Sequence, residues 1–335
     1  MKILAGLTIR NKWFILNKQF VQLIPGGKKM TTRTITAKPF LKWAGGKTQL
    51  LTTFKELYPK ELLEGKLKRY IEPFVGSGAV LFDVLQNFKI EEALILDVNP
   101  ELIITYQVIK KDADKIIQQL KKIENEYYLM AEEKRKEYYY AVRNEYNNNL
   151  TDFNFKRYSK KTIERAAQVI FLNKTCYNGL FRVNKSGYFN VPFGDYKNPK
   201  ICDAENLTAV SKLLEKVNII CGDYTRSRKY VTEDSFIYLD PPYRPLNSTS
   251  KFTSYSKDSF TDEDQVKLAK FYSKINKMGP CLMLSNSNPK NVNQDDVFFH
   301  ELYQDFTIRE ISARRSINSN GNKRGYITEL VITNY

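Results

Sequence analysis

The sequence is poor in the residues that most often build metal and redox sites. Its 335 residues include one histidine, His300, and four cysteines with no C-x-x-C spacing. These counts argue against a zinc knuckle, a histidine-ligated metal site and a Ser-His-Asp triad, and they favour a reducing, cytoplasmic compartment. No apolar run approaches the roughly 18 residues that a membrane-spanning helix needs. The sequence therefore predicts neither a metal nor a membrane as partner.

Positive charge is what the sequence has in excess. Lysine and arginine number 53 against 37 acidic residues, which gives a formal net charge of +16. A polyanion is the partner that this balance favours, because each phosphate contact releases counterions. The alternative is a basic soluble protein that has no polyanionic partner. The 22 tyrosines and 20 phenylalanines suit base stacking, but they also suit ordinary core packing.

The first 38 residues form an N-terminal extension that fits poorly with the rest. They contain basic residues but no apolar core of the length that a signal peptide needs. Codons for the Gly-Gly-Lys-Lys before Met30 can spell a purine-rich ribosome-binding sequence, so we expect translation to begin at Met30. A translated but disordered basic arm is the alternative.

An Asp-Pro-Pro-Tyr turn follows residues 235–239, a short apolar segment that is typical of a buried strand. Pro241 and Pro242 cannot donate to a ladder, so the strand must stop there with Asp240 at its end. Ligands of open α/β sheets bind at the carboxyl ends of strands. The Asp240 carboxylate, the Pro241 carbonyl and the Tyr243 ring suit a planar substrate that carries an amino group. A Pro-Pro loop with a capping aspartate is the alternative.

A second dense motif, Phe-Leu-Lys-Trp-Ala-Gly-Gly-Lys-Thr, begins at position 40. Its Gly-Lys-Thr ending suggests a P-loop, but leucine stands where that pattern needs its first glycine, and no strand precedes it. We interpret the motif as a glycine-flexed turn before a helix at 47–58. In this turn Trp43 can form an apolar wall, and Lys42 and Lys47 can meet an anion or a guanine edge.

A predicted strand at 69–75 leads into a Gly-Ser-Gly turn and a predicted helix at 79–88. Such a turn lets the backbone approach a ligand closely at a helix N-terminus. Leucine replaces the third glycine of a dinucleotide fingerprint, which argues against NAD and FAD. The next strand, 93–96, ends in Asp97, about 20 residues past the turn, where a ribose-binding acid belongs. S-adenosylmethionine, which has a ribose but no pyrophosphate, fits best.

Nine blocks, taken in order, resemble the Dam-type DNA adenine-N6 methyltransferases, a D12 class with the α motif order that includes GATC-modifying methylases of restriction–modification systems. The blocks are Phe-Leu-Lys-Trp-Ala-Gly-Gly-Lys (40–47), Glu-Pro-Phe-Val-Gly-Ser-Gly (72–78), Asp-Val-Asn (97–99), Tyr-Asn-Gly-Leu-Phe-Arg-Val-Asn (177–184), Phe-Asn-Val-Pro-Phe-Gly-Asp-Tyr (189–196), Gly-Asp-Tyr (222–224), Asp-Pro-Pro-Tyr (240–243), Phe-Thr-Ser-Tyr (252–255) and Arg-Arg-Ser-Ile-Asn-Ser-Asn-Gly (314–321). One block is modestly specific, whereas nine in the family order are highly specific.

The resemblance implies an α/β fold: a Rossmann-like SAM-dependent methyltransferase sheet with an inserted, mostly helical DNA-recognition domain that carries a β-hairpin. Residues 39–100 and 218–335 are then the catalytic, SAM-binding domain, and residues 101–217 are the target-recognition domain. Double-stranded DNA is the implied partner, and a companion restriction endonuclease is a further one.

The resemblance also assigns roles to individual residues. Methyl transfer is carried by Asp240, Pro241, Pro242 and Tyr243. Cofactor contacts are expected from Trp43, Lys47, Phe74, Gly76, Ser77, Gly78, Asp97, Asp223, Tyr224 and Asp240. Base-reading positions are Lys42, Leu180, Arg182, Pro192 and Tyr196, with Asn178 and Asn184 beside them and Tyr177 as the aromatic wedge next to the flipped base. Family members with this segment read GATC, so GATC is the expected site.

The insert itself shows helical patterns at 100–123, 132–147 and 161–173, followed by a hairpin-like segment at 176–196. This segment interleaves aromatic residues with arginine and asparagine. Arginine can bind guanine O6 and N7, and asparagine suits adenine or phosphate. An aromatic-rich hairpin that serves a small helical core is the alternative.

The remaining patterns complete the sheet. They predict strands at 217–221, 281–284, 309–311 and 326–333 and a helix at 262–277. Two polar loops, 244–257 and the basic 314–324 with Arg314 and Arg315, suit phosphate contacts, with a solvated turn as the alternative. Turn capping is the alternative role for Asp223.

Two rival functions stay open at this point. Another amino-methyltransferase would act on cytosine N4, on RNA or on a glutamine side chain, and a relative that has lost catalysis would only bind DNA. Aspartate rather than serine before Pro-Pro favours adenine. The intact Asp240, Tyr243 and glycine turn argue against a silent relative.

Overall fold

The computed structural model describes residues 35–244, 260–313 and 327–335 with their side chains, and the backbone of 13–16, 19–22, 30–31, 314 and 326. The chain divides into two compact units, Met1–Thr36 and Ala37–Tyr335. The first unit contains the antiparallel strands β1 (Trp13–Leu16), β2 (Gln19–Gln22) and β3 (Met30–Thr31), in that order across a small sheet.

The second unit is built on a seven-stranded sheet. Its strands are β4 (Arg69–Glu72), β5 (Glu92–Asp97), β6 (Val217–Cys221), β7 (Ser235–Leu239), β8 (Cys281–Ser287), β9 (Thr307–Arg314) and β10 (Tyr326–Thr333). Their order across the sheet is β6-β5-β4-β7-β8-β10-β9. Every pair from β6 to β8 is parallel, and β10 runs antiparallel to both of its neighbours. This mostly parallel sheet confirms the predicted α/β class.

The helices of this unit connect and cover the sheet. They are α1 (Leu51–Leu57), α2 (Lys60–Leu63), α3 (Ala79–Asn87), α4 (Pro100–Leu129), α5 (Glu132–Asn148), α6 (Lys160–Thr175), α7 (Ala204–Leu214), α8 (Asp262–Asn276) and α9 (Phe298–Leu302). No helix in the described part of the chain is long and apolar enough to cross a membrane.

Strand β7 shows why the sheet has apolar residues on both faces. All five of its residues are buried. Phe236 and Tyr238 belong to one core cluster, whereas Ile237 and Leu239 belong to another. Alternate side chains of a strand point to opposite faces, so both faces of β7 are covered. A strand buried in this way ends at a defined position, which fixes where the following turn begins.

The predicted helices of the insert are present, with somewhat longer bounds. Helix α4 begins where the Asn99 side chain accepts hydrogen bonds from the backbone N–H groups of Glu101 and Leu102, and it continues to Leu129. Its only non-helical residue is Asp112, with φ −138° and ψ 46°. Helices α4, α5 and α6 follow β5 directly, so the insert starts at the carboxyl end of a sheet strand.

Three predicted elements differ most from the structure. The strand predicted to reach residue 75 ends at Glu72, because Pro73 cannot continue the ladder. The helix predicted at 47–58 begins only at Leu51, after the turn that places Lys47. The predicted hairpin at 176–196 has no continuous ladder.

In that segment the chain does fold back on itself, but only two isolated antiparallel bridges form, Cys176 to Phe193 and Val183 to Phe189. Asn178 (φ 58°) interrupts the extended backbone that a regular strand needs, and Pro192 has no N–H to donate. The correct description is therefore an irregular fold-back, which we call the recognition segment (residues 176–196) after the role that the sequence resemblance predicts for it.

The order of the strands predicts a crevice between β4 and β7, at the carboxyl ends of these two strands. From β4 the chain moves outward to β5, whereas from β7 it moves in the opposite direction to β8. Strands β4 and β7 are parallel neighbours, with Arg69 opposite Ser235 and Ile71 opposite Ile237. Ligands of open α/β sheets bind at such a switch point, outside the carboxyl ends. The glycine turn after β4 and the Asp-Pro-Pro-Tyr turn after β7 meet there.

Candidate active site

Asp240 is held at the end of β7 by two side chains. One carboxylate oxygen, Oδ2, accepts from Lys47 Nζ at 2.7 Å, and Oδ1 accepts from Ser285 Oγ at 2.8 Å. Ser285 is fully buried on the neighbouring strand β8. Burial raises the pKa of Asp240, while Lys47 and Ser285 oppose that rise by stabilising the carboxylate. The carboxylate is thus fixed in orientation as well as in position.

Lys47 is almost completely buried, with a side-chain exposure of 5%. Its ammonium group donates to Asp240 and, at 2.6 Å, to the carbonyl of Gly45. It also lies 4.6 Å from the centroid of the Tyr243 ring, within the range of a cation–π contact. A buried ammonium is costly unless it is paired, so these contacts explain why the lysine is tolerated here.

The two prolines differ in what their carbonyls contact. The Pro242 carbonyl accepts from Gln265 Nε2 at 3.1 Å, and Gln265 is itself held by Asn286. The carbonyl oxygen of Pro241, next to Asp240, has no donor among the described residues.

Tyr243 is fixed at its far end by a residue that the sequence did not point to. Its hydroxyl donates to Glu329 Oε2 at 2.5 Å. Glu329 lies on β10, opposite Ser287 of β8. Burial raises the pKa of both the Tyr243 phenol and the Glu329 carboxyl. The corner thus combines side chains from β8 and β10 with the turn after β7.

The glycine turn after β4 is closely tied to Asp97 at the end of β5. The Asp97 carboxylate accepts from Gly76 N at 3.2 Å and from Asn99 N at 2.9 Å. Burial raises the pKa of Asp97 to about 6, although these N–H groups act in the opposite direction. Gly78 has φ +72°, and a Cβ there would lie 2.5 Å from the Tyr106 hydroxyl oxygen, so only glycine fits.

Aromatic side chains flank this turn on two sides. Trp43 lies against Gly76, where an added Cβ would be 3.1 Å from Trp43 Cδ1. Phe74 stacks on Tyr224, with ring centroids 5.4 Å apart. Most of the predicted cofactor residues therefore lie in or near the glycine turn after β4. They are Trp43, Phe74, Gly76, Ser77, Gly78, Asp97 and Tyr224.

Asp223 has a local role in the structure. Its side chain accepts from Thr225 N at 2.9 Å and caps the short 3-10 helix Tyr224–Tyr230. This is the capping role that the sequence left as an alternative. The predicted cofactor contact of Asp223 has no further support from its described hydrogen bonds.

The recognition segment is joined to the motif that begins at residue 40 through Asn173, at the end of α6. Asn173 Oδ1 accepts from Lys42 N, and Nδ2 donates to the carbonyls of Lys42 and Gly179, all at 2.9 Å. Asn173 is 1% exposed. In addition, Trp43 stacks on Phe181 at a centroid distance of 5.1 Å. The expected cofactor wall and the expected base-reading segment are thus in direct contact.

The predicted base-reading residues have different surroundings. Lys42 Nζ lies 5.4 Å from the centroid of the Tyr196 ring. Arg182 donates from Nε to Asn190 Oδ1 at 2.8 Å, and no described residue accepts from its two terminal nitrogens. Tyr177 is 55% exposed.

The other four predicted base-reading positions also differ in their exposure and contacts. Asn178 and Pro192 are exposed, and Leu180 is half-buried. Asn184 Oδ1 accepts from the backbone of Ser186 and Tyr188, so this oxygen closes a turn.

Some predicted phosphate contacts fall outside the described residues. This applies to Arg315, to the side chain of Arg314 and to residues 245–259 and 315–325. Arg244, at the start of the first loop, is described, and it pairs with Asp262 at 2.8 Å and Asp296 at 2.6 Å. Two carboxylates thus neutralise this guanidinium, and the phosphate contact predicted for the rest of the loop lies outside the described residues.

The mostly parallel sheet, with a glycine turn and an Asp-Pro-Pro-Tyr turn at one switch point, fits a Rossmann-like methyltransferase. Residues 43–317 match the family described as D12 class N6 adenine-specific DNA methyltransferase. The chain belongs to this family, which confirms the resemblance seen in the sequence blocks.

Relatives at several levels of identity agree with this assignment. The chain is 54% identical to the Type II methyltransferase M.MjaIII of Methanocaldococcus jannaschii over 299 residues, covering 89% of this chain and 99% of the relative. It is 37% identical to the Type II methyltransferase M1.LlaDCHI of Lactococcus lactis subsp. cremoris, covering 90% and 96%. It is 34% identical to the DNA adenine methylase of Escherichia coli, covering 88% and 94%.

Proposed function

We propose that this protein transfers a methyl group from S-adenosylmethionine to N6 of an adenine that is flipped out of double-stranded DNA, within GATC. The observation that carries the proposal is the corner after β7. There a fixed carboxylate, a carbonyl without a described donor and an aromatic ring adjoin the switch point. Membership of an adenine-specific DNA methyltransferase family supports the choice of adenine and DNA.

The residues around the glycine turn suit S-adenosylmethionine. We assign Asp97 as the acceptor for ribose hydroxyls, and the missing side chain of Gly76 lets the Trp43 ring lie directly against the glycine turn. Trp43, Phe74 and Tyr224 offer apolar walls for an adenine ring. When bound, this cofactor supplies an electrophilic methyl group on a positively charged sulfur.

The catalytic corner is proposed to act on the amino group of the flipped base. Flipping costs a few kcal/mol, which contacts to the base and the duplex must offset. Tyr243 stacks on the base, while Asp240 and the Pro241 carbonyl accept the two amino hydrogens. Each carboxylate oxygen has two lone pairs, so Asp240 can accept an amino hydrogen and still keep Lys47 and Ser285.

Holding both hydrogens changes the reactivity of the amine. Its lone pair is shared with the ring, and a pyramidal nitrogen frees that pair for attack on the methyl carbon. A site that held this nitrogen close to the methyl group of the bound cofactor would gain a large share of its acceleration from positioning alone. The nitrogen gains the positive charge that sulfur loses, and the resulting ammonium is acidic enough to release its proton without a strong base.

Target choice is assigned to residues 101–217, as the DNA-recognition domain. The net charge of +16 suits a polyanion, and Lys42, Arg182 and Tyr196 provide groups that read base edges or contact phosphate. The likeness of the recognition segment to GATC-reading members supports GATC. Relatives named Type II methyltransferase support a restriction–modification context, in which a companion endonuclease is the partner.

Tritium transfer from labelled S-adenosylmethionine tests this function. Duplexes with GATC should take up label, and the labelled base should be N6-methyladenine. A matched duplex with GTAC in its place should take up little label. Label in N4-methylcytosine, preference for RNA, or DNA binding without any transfer would each support a rival function instead.

A further inference from the structure

Glu329 is an acidic residue in an otherwise apolar part of strand β10. The three residues that follow it, Leu330, Val331 and Ile332, are fully buried. The Glu329 carboxylate is partly buried, and among the described residues its only hydrogen-bond partner is the hydroxyl of Tyr243. Burying a carboxylate costs free energy unless it is paired, so the charge of Glu329, offset by the Tyr243 hydroxyl and by attraction to the Lys47 ammonium, calls for an explanation beyond sheet stability.

The contact reaches the ring that we propose stacks on the flipped base. The φ angles of Pro241 and Pro242 are fixed, which restricts the backbone that leads to Tyr243, but the tyrosine side chain can still rotate about two torsions. The hydrogen bond from its hydroxyl to Glu329 fixes the far end of the ring. Lys47, 4.6 Å from the ring centroid, is the second contact. The plane of the ring is therefore determined by β10 and by the lysine together.

We propose that Glu329 is a positioning residue for methyl transfer: it holds the Tyr243 ring in the plane on which the target adenine stacks. Glu329 itself contacts neither the base nor the cofactor. It acts on the reaction through Tyr243, by reducing the number of ring orientations that compete with the productive one. This role rests on the function proposed above, because it has a meaning only if Tyr243 stacks on a base.

A double-mutant cycle tests whether Glu329 acts through the Tyr243 hydroxyl. The variants are Glu329→Ala, Tyr243→Phe and the double substitution, each assayed for single-turnover methyl transfer to a GATC duplex. We expect each single variant to lower the rate constant about 10- to 100-fold, the range for a lost hydrogen bond to a charged group. We expect the double variant to be no worse than the worse single one.

A second measurement separates positioning from a general effect on the fold. A duplex with 2-aminopurine in place of the target adenine reports stacking of the flipped base by its fluorescence. Glu329→Ala and Tyr243→Phe should alter this signal in the same way, while the affinity for S-adenosylmethionine stays within about twofold. Glu329→Gln, which retains size and an acceptor oxygen, should recover most of the lost rate.

Several outcomes would overturn the role. Multiplicative losses in the double variant would mean that Glu329 acts independently of the hydroxyl, and wild-type rates in Tyr243→Phe would mean that the hydrogen bond has no part in transfer. If Glu329→Ala fails to fold, Tyr243→Phe still tests the role, because it removes the same hydrogen bond from the other side. A wild-type protein that transfers no methyl overturns the proposed function, and this role with it. An active wild type with independent losses overturns this role alone.

Discussion

Lys47 is the residue that most directly sets the state of the proposed catalytic carboxylate. It supplies the only described positive charge that hydrogen-bonds to Asp240, in a place where burial favours the neutral acid. The adenine amino group donates its hydrogens, so the acceptor must be the carboxylate rather than the acid. In the proposed mechanism, the ion pair with Lys47 favours the ionised form of Asp240 that the reaction needs.

Replacing Lys47 should shift the pH dependence of transfer. Without the cation, the pKa of Asp240 rises, so the acid limb of the pH–rate profile should move to higher pH in Lys47→Met. At a given acidic pH the loss should approach about tenfold for each unit of that rise. Single-turnover rates between pH 5.5 and 9 would measure it. Lys60→Met, which removes an exposed pair with Glu64, is the control and should leave the profile unchanged.

Asp97 gives a second dependence on pH, in cofactor binding. Burial raises its pKa to about 6, so it is ionised at pH 7.5 and mostly protonated at pH 5. A protonated carboxyl is a poorer acceptor for ribose hydroxyls, so affinity for S-adenosylmethionine should fall as the pH drops, by up to about tenfold per unit below the pKa. Calorimetry across this range would measure it. Asp97→Asn should bind weakly with a flat profile, and an equally steep profile in that variant would contradict the assignment.

The residues of the site were predictable to different degrees. Asp240 and the glycine turn stand at strand ends in a readable pattern, so the sequence alone located them. Ser285, Glu329 and Asn173 were not assigned to the site, because their roles depend on strand order and long-range pairing. A faint signal existed for Glu329, a single charge in an apolar strand, and for Ser285, which follows a predicted strand.

Among the elements, strands bounded by clear turn signals were easiest to predict and irregular segments hardest. Strands β6, β7 and β10 have the predicted bounds, because each is a short segment rich in β-branched and aromatic residues that ends at a turn or at the chain terminus. The recognition segment was predicted as a hairpin but is held by two isolated bridges and by Asn173. Aromatic and glycine content indicated a chain reversal there, but could not show that α6, rather than a ladder, would support it.

The contacts of Arg182 in the recognition segment lead to a prediction about sequence specificity. Arg182 is fixed through Nε by Asn190, so its terminal nitrogens have a defined direction. Arg182→Ala should cost about 1–3 kcal/mol on GATC and relax the preference at one base position, as expected for a base contact. Transfer rates on a set of duplexes with single substitutions in GATC would measure it.

A matched control lies three residues further on. Lys185 is exposed at the turn of the same segment, so Lys185→Ala should leave the preference at every base position of GATC unchanged. An equal loss on every sequence in Arg182→Ala would show instead that Arg182 contacts phosphate.

For the whole molecule, the sheet topology is what makes the site. Neither the glycine turn nor the Asp-Pro-Pro-Tyr turn is specific alone, and about 160 residues separate them in the chain. The reversal of strand order between β4 and β7 brings them to one edge. Insertion of α4 to α6 directly after β5 then connects that edge to the recognition segment through Asn173 and Trp43.

The central claim is that a rigid corner at Asp240 directs an extrahelical adenine amine at the methyl donor. The most direct test is nucleoside mass spectrometry of GATC duplexes after incubation with S-adenosylmethionine and either the wild-type protein or Asp240→Asn, with DNA affinity measured in parallel. We predict N6-methyladenine with the wild type, none with the variant, and DNA binding retained by both. Equal methylation by the variant, or unmodified adenine with the wild type, would contradict the account.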